Sequence, residues 1–200
     1  MQLSQINKFC IIIICTQLLC ACAGISSLSS SEETKSLIKL PQNYDKAIAA
    51  AKNGKTADAI KLLSEVTKSY PDFSPAYTNL GLQYLKNKKQ DNAEKNLRTA
   101  ISLNPQDAIA YNHLGIILRH RGKFNDAKDM YNSAIKSKDD YANAHLNLGI
   151  LYDMYLYELP QALRHYKSYQ TITKNSDKLV SKWIIDLERR IAADKRRKSS

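Results

Sequence analysis

Ser74-Pro75-Ala76-Tyr77-Thr78-Asn79-Leu80-Gly81-Leu82-Gln83-Tyr84 opens a stretch that returns 34 residues later as Ala108-Ile109-Ala110-Tyr111-Asn112-His113-Leu114-Gly115-Ile116-Ile117-Leu118. Ala93 and Ala127 keep the same interval, as do Ala100-Ile101 and Ala134-Ile135. The register runs forward through Ala144, His145, Leu148, Gly149 and Tyr152, and backward through Ala59, Leu63, Val66 and Pro71. A fixed period in this range is the mark of a solenoid, in which each unit buries its apolar face against its neighbours. Four units result: 40–73, 74–107, 108–141 and 142–176. The last is one residue longer, because Ala162 falls one place late.

Within a unit the spacing is helical. Tyr77, Leu80, Gly81 and Tyr84 stand at i, i+3, i+4 and i+7, one face of a first helix. Ala93, Leu97, Ala100 and Ile101 form the matching face of a second. Asn87–Gln90 interrupts the two, and Asn104-Pro105 ends the second. Gly81 and Ala93 are small where the paired helices must approach closely. Gly54 and Gly122 sit at the turn between helices, where a positive φ is needed. In the fourth unit Pro160 suits the first turn of the second helix.

The order aromatic, Leu-Gly, aromatic, then Ala, a bulky residue, Ala and Pro resembles the tetratricopeptide repeat. The resemblance covers residues 40–176, with Lys46-Ala47 in place of Leu-Gly in the first unit and Asp139 in place of Pro in the third. It implies an all-α fold: a solenoid of about four helix-turn-helix repeats that binds a protein or peptide on its concave face. The side chains it places in that groove are the aliphatic ladder Ile48, Leu82, Ile116 and Ile150, with Lys52, Lys86, Arg119 and Asp153 beside it. After the repeats, Ser176–Lys195 reads as one more helix, with Leu179, Val180, Trp183, Ile184, Leu187 and Ile191 on a single stripe. Such a helix covers the open end of a solenoid, so 177–200 reads as a cap followed by a frayed basic tail.

The N-terminal residues carry a different signal. Phe9–Leu19 is an eleven-residue run broken only by Thr16 and Gln17, shorter than the roughly 20 apolar residues needed to span a bilayer. It reads as the apolar part of a secretory signal. Leu19-Cys20-Ala21-Cys22 follows and resembles a bacterial lipobox, which implies cleavage after residue 21 and a lipid on Cys22. Ala23 after that cysteine implies sorting to the periplasmic face of the outer membrane. Residues 22–39, with Ser26, Ser27, Ser29, Ser30 and Ser31, read as a flexible tether.

The composition excludes several functions. All four cysteines, Cys10, Cys15, Cys20 and Cys22, precede the repeats, so the repeat domain holds no disulfide framework and no cysteine-ligated metal. Five of the six glycines fall at repeat positions, which leaves none for a phosphate loop or a nucleophile elbow. His113, His120, His145 and His165 show no metal-ligand spacing. Arg119 and Asp153 read as groove charges rather than an active-site pair. No catalytic constellation, cofactor site or small-molecule substrate is expected. The net charge of +11 is spread over helix faces, apart from Lys195–Lys198, and no nucleic-acid motif accompanies it.

The fourth unit and the cap, from Leu146-Asn147-Leu148-Gly149-Ile150-Leu151-Tyr152-Asp153 through Trp183-Ile184-Ile185-Asp186-Leu187-Glu188-Arg189-Arg190, resemble tetratricopeptide proteins associated with TonB–ExbB–ExbD systems. That implies a lipid-anchored scaffold in energised outer-membrane transport. The alternative is a pilotin, a repeat lipoprotein that serves a type IV pilus secretin. An enzyme such as a wall hydrolase has no supporting motif.

Overall fold

A computed structural model describes residues 41–199. The proposed signal, Cys22 and the serine-rich tether lie outside the described residues. Nine α-helices and one π-helical turn make up the described part, with no strand among them. They pair as the 34-residue period requires. The first unit is α1 (Tyr44–Lys52) and α2 (Thr56–Ser69), and the second is α3 (Ser74–Lys86) and α4 (Gln90–Leu103). The third is α5 (Ala108–His120) and α6 (Phe124–Ser137). The fourth is α7 (Ala142–Leu151), the π turn Tyr152–Leu156 and α8 (Leu159–Ile172), and α9 (Lys178–Ser199) closes the end.

Each helix packs on the next in sequence, and the first helices also touch one another in the order α1, α3, α5, α7. The buried face inside every pair repeats. Ala59, Ala93, Ala127 and Ala162 are fully buried, as are Leu63, Leu97, Tyr131 and Tyr166. Across from the bulky member stands glycine or alanine. A methyl group on Gly81 would meet Leu97 at 2.8 Å, and one on Gly115 or Gly149 would meet the ring of Tyr131 or Tyr166 at 2.6 Å.

The helix ends follow local chemistry. Pro75 opens α3 and Pro160 opens α8, where no intrahelical N–H is lost. The Asp107 carboxylate accepts from the Ala110 N–H at 2.9 Å and so caps α5. Asp177 caps α9 by accepting from the Leu179 and Val180 N–H groups at 2.9 and 3.0 Å. These contacts, with one from the Tyr169 hydroxyl, hold its carboxyl below the usual range.

The additional residue of the fourth unit has a structural site. Turns between the paired helices pass through left-handed backbone at Gly54, Lys88 and Gly122, each 34 residues apart, but the fourth does so at Tyr157, 35 residues on. The π turn Tyr152–Leu156 absorbs the insertion, so the register slips after α7 rather than within α8.

The last helix corrects two expectations. It begins at Lys178 and runs to Ser199, through the basic residues expected to fray. Ala192 and Ala193 favour helix, and cations are well placed at a helix C-terminus. Leu179 lies off the buried stripe at 56% exposure, because only Val180 and Leu187 face fully inward. Trp183 is half-buried, its ring 5.5 Å from that of Tyr166.

Candidate functional site

The first helices present the surface where the ladder was expected. Ile48, Leu82, Ile116 and Ile150 are all half-buried, one per unit. They are not equivalent. Ile116 and Ile150 pack against the large core shared by the third unit, the fourth unit and the cap. Ile48 and Leu82 join none of the apolar clusters of the described residues. The α1 and α3 members of the ladder thus stand apart from these apolar clusters.

The expected basic rim is uneven. Lys52 and Lys86 are exposed at the last turns of α1 and α3. Arg119 is half-buried, with its guanidinium 5.9 Å from the centre of the Tyr155 ring. Asp153 does not face an open groove. It is buried and accepts from Arg190 of α9 at 2.9 Å, and it also engages the Tyr166 hydroxyl. Burial first, and then the Asp153 charge, push the Tyr166 hydroxyl well above its ordinary range. The groove expectation for Asp153 is corrected on this ground: the cap reaches over the fourth unit and takes the carboxylate for itself.

Sequence reasoning missed the polar rungs between first helices. Asn79 donates to the Tyr44 hydroxyl at 2.9 Å, and Asn147 donates to the Asn112 carbonyl oxygen at 3.0 Å. Each rung is a side-chain to side-chain bond, Asn112 accepting through Oδ1, and joins one unit to the next, 35 residues on. A second polar feature was also missed. His145 and His165 are buried, with their Nδ1 atoms 3.1 Å apart. His145 Nε2 lies 3.1 Å from the Asp139 carbonyl, so it carries a proton and donates. His165 then donates from Nδ1 to His145 Nδ1 and leaves Nε2 to accept from Arg164 at 3.4 Å. The arrangement suits two neutral rings. Burial comes first in lowering His165 to about 4, followed by the positive charge that His145 would carry if protonated and by that of Arg164. The signal for this pair was the histidine at position 145, where the period places Tyr77 and Tyr111 in the earlier units.

Two clefts lie away from the ladder. One, between α1 and α2, is lined by Lys46, Ala50, Lys55, Asp58 and Lys61. The other lies beside the histidines and is lined by Asp139, Arg164, Lys167 and Thr171. No group of three metal-ligating side chains occurs among the described residues. No described helix is long and apolar enough to cross a membrane.

Residues 44–95 and 96–129 match family models of the tetratricopeptide repeat. The chain carries tetratricopeptide repeats. No curated protein matches it, but many solved structures share the fold. A MamA crystal structure is 25% identical with a TM-score of 0.59, over 66% of this chain and 72% of that one. PilF of Pseudomonas aeruginosa is 16% identical with a TM-score of 0.67, over 76% and 68%. YrrB, described as a TPR protein with an unusual peptide-binding site, is 19% identical with a TM-score of 0.58, over 69% and 70%. These likenesses establish an all-α tetratricopeptide solenoid. Tetratricopeptide repeats are protein-interaction modules and generally not catalytic, and no catalytic family is indicated. The class of function follows: a scaffold that binds a protein or peptide partner in a groove.

Proposed function

We propose that the chain is a lipid-anchored scaffold of the bacterial envelope that captures a peptide segment on the surface of its first helices. The observation that carries this is the pair Ile48 and Leu82, half-buried aliphatic side chains that no described core cluster takes up. Such side chains offer a partner apolar surface to bury. Lys52 and Lys86 stand nearby and would speed and orient an acidic partner. The Leu19–Cys22 motif supports a lipid on Cys22 and a periplasmic position at the outer membrane.

The resemblance of the fourth unit and cap to TonB-associated repeat proteins favours an accessory role in energised transport. The likeness to PilF, of the fold alone, keeps a pilotin-like role as the second reading. Capture from detergent-solubilised envelope distinguishes the two, with ExbB and ExbD recovered in the first case and a secretin in the second. Ile48→Glu with Leu82→Glu should abolish capture while the circular-dichroism spectrum stays helical. Retained capture would place the partner site elsewhere. Cys22→Ser should lose labelled palmitate and membrane partitioning, and a variant that still labels would refute the anchor.

A further inference from the structure

The fourth unit departs from the others at its inter-helix turn, and the departure brings apolar surface into solvent. In the first three units the first helix stays α-helical to its end. In the fourth, the π turn Tyr152–Leu156 widens the end of the helix, a geometry found frequently at functional sites. Met154, Tyr155 and Tyr157 emerge 60%, 41% and 75% exposed. Three large apolar side chains on one short turn are an unfavourable surface unless something covers them.

A cation lies against this patch. The Arg119 guanidinium sits by the Tyr155 ring, whose centre is 4.7 Å from that of Phe124. Arg119 Nε is buried without a hydrogen-bond partner, and so is the hydroxyl of the fully buried Tyr131. The turn's own carboxylate, Asp153, is held by Arg190 and Tyr166. The site thus combines exposed aromatic surface with a half-buried positive charge that no described carboxylate neutralises. Nε itself is closed to a ligand, but an anionic acceptor at the part-exposed end of the side chain would gain a charge-assisted hydrogen bond. The net charge of +11 further favours an acidic partner.

We propose that the π turn is a second docking point, which takes an acidic protein segment by seating an apolar side chain on Met154, Tyr155 and Tyr157 and a neighbouring carboxylate on Arg119. The proposal rests on the scaffold reading above and adds what the partner must carry. The probes are labelled peptides in which a Phe or Leu is flanked by Asp or Glu, and the same peptides with the acids changed to Asn or Gln. Anisotropy measures their binding to the repeat-bearing chain and to its Arg119→Gln, Tyr155→Ser and Ile48→Glu/Leu82→Glu variants. Amide shifts of the isotope-labelled chain report where they bind.

The acidic peptides should bind with shifts centred on Arg119 and residues 152–157. Arg119→Gln and Tyr155→Ser should each weaken them about tenfold, and the amidated peptides should bind equally weakly to wild type and to Arg119→Gln. Binding that the Ile48→Glu/Leu82→Glu variant loses but Arg119→Gln retains would overturn this site and leave the ladder reading standing. Equal binding of acidic and amidated peptides, or no saturable binding at millimolar concentration, would overturn it too. Retained helical circular dichroism in Tyr155→Ser excludes unfolding as the cause of loss.

Discussion

At Gly81, Gly115 and Gly149 the paired helices leave no room for a methyl group. Gly115→Ala would drive a Cβ to within 2.6 Å of the Tyr131 ring, which is fully buried and cannot swing into solvent. Alanine gains about 1 kcal/mol of helix propensity over glycine, against an overpacking cost of about 1–3 kcal/mol, so urea denaturation should show a net loss of up to about 2 kcal/mol. Gly54→Ala fails for another reason. Nothing lies within 4 Å of its Cβ position, but its φ of +72 is unfavourable for any side chain, so the loss should be about 1 kcal/mol.

The buried histidine pair ties stability to pH. Native His165 stays neutral down to about 4, while the unfolded chain takes up the proton near 6.5. The unfolded state therefore binds more protons between those values. The His165 contribution to stability is complete above pH 6.5 and falls as the pH drops towards 4, by on the order of 2–3 kcal/mol. Burial and the neighbouring His145 and Arg164 all lower His165, and no carboxylate offsets them. Denaturation midpoints at neutral pH and near pH 4 should diverge for wild type and draw together for His165→Asn. Parallel lines for the two proteins would refute the assignment.

Among the elements, α9 shows how far a stripe of apolar residues specifies packing. Leu187 is fully buried and Trp183 only half so. Leu187→Ala should cost about 2–5 kcal/mol. Trp183→Ala should cost less than the loss of a wholly buried indole, about 1–3 kcal/mol, because part of its ring already meets water. Arg190→Ala is a third test of the same helix. It would leave Asp153 buried without its cation, and a loss of roughly 1–3 kcal/mol is expected. Equal stability after all three changes would show that α9 does not hold the end of the solenoid.

Across the whole molecule, the solenoid couples each unit to its neighbours only. The core of the third and fourth units continues into α9 through Val180 and Leu187. The first unit shares a separate cluster with α3 of the second, from Ala47 to Leu80. Deleting α9 should therefore release hydrogen-exchange protection first in α7 and α8 while α1 to α4 keep theirs. Uniform loss along the chain would mean that the units fold as one cooperative block.

The repeat was legible in the sequence because a period acts on every unit at once. Glycine opposite a bulky residue, small alanines at the helix crossings and left-handed turns at Gly54 and Gly122 all follow from short-range sterics, and all stand where the spacing placed them. The single late residue at Ala162 announced an insertion, but not its location. Only the folded chain puts it in a π turn at Tyr152–Leu156, since several places in the unit could hold one more residue. The ladder was legible as a set of four side chains, but its division was not. Whether Ile116 and Ile150 meet the core depends on how α7, α8 and the cap close over the third unit. The same closure gives Asp153 to Arg190, 37 residues away, and leaves Arg119 without a carboxylate. Charge pairing at that separation is a property of the tertiary contact, because no local periodicity relates the two residues.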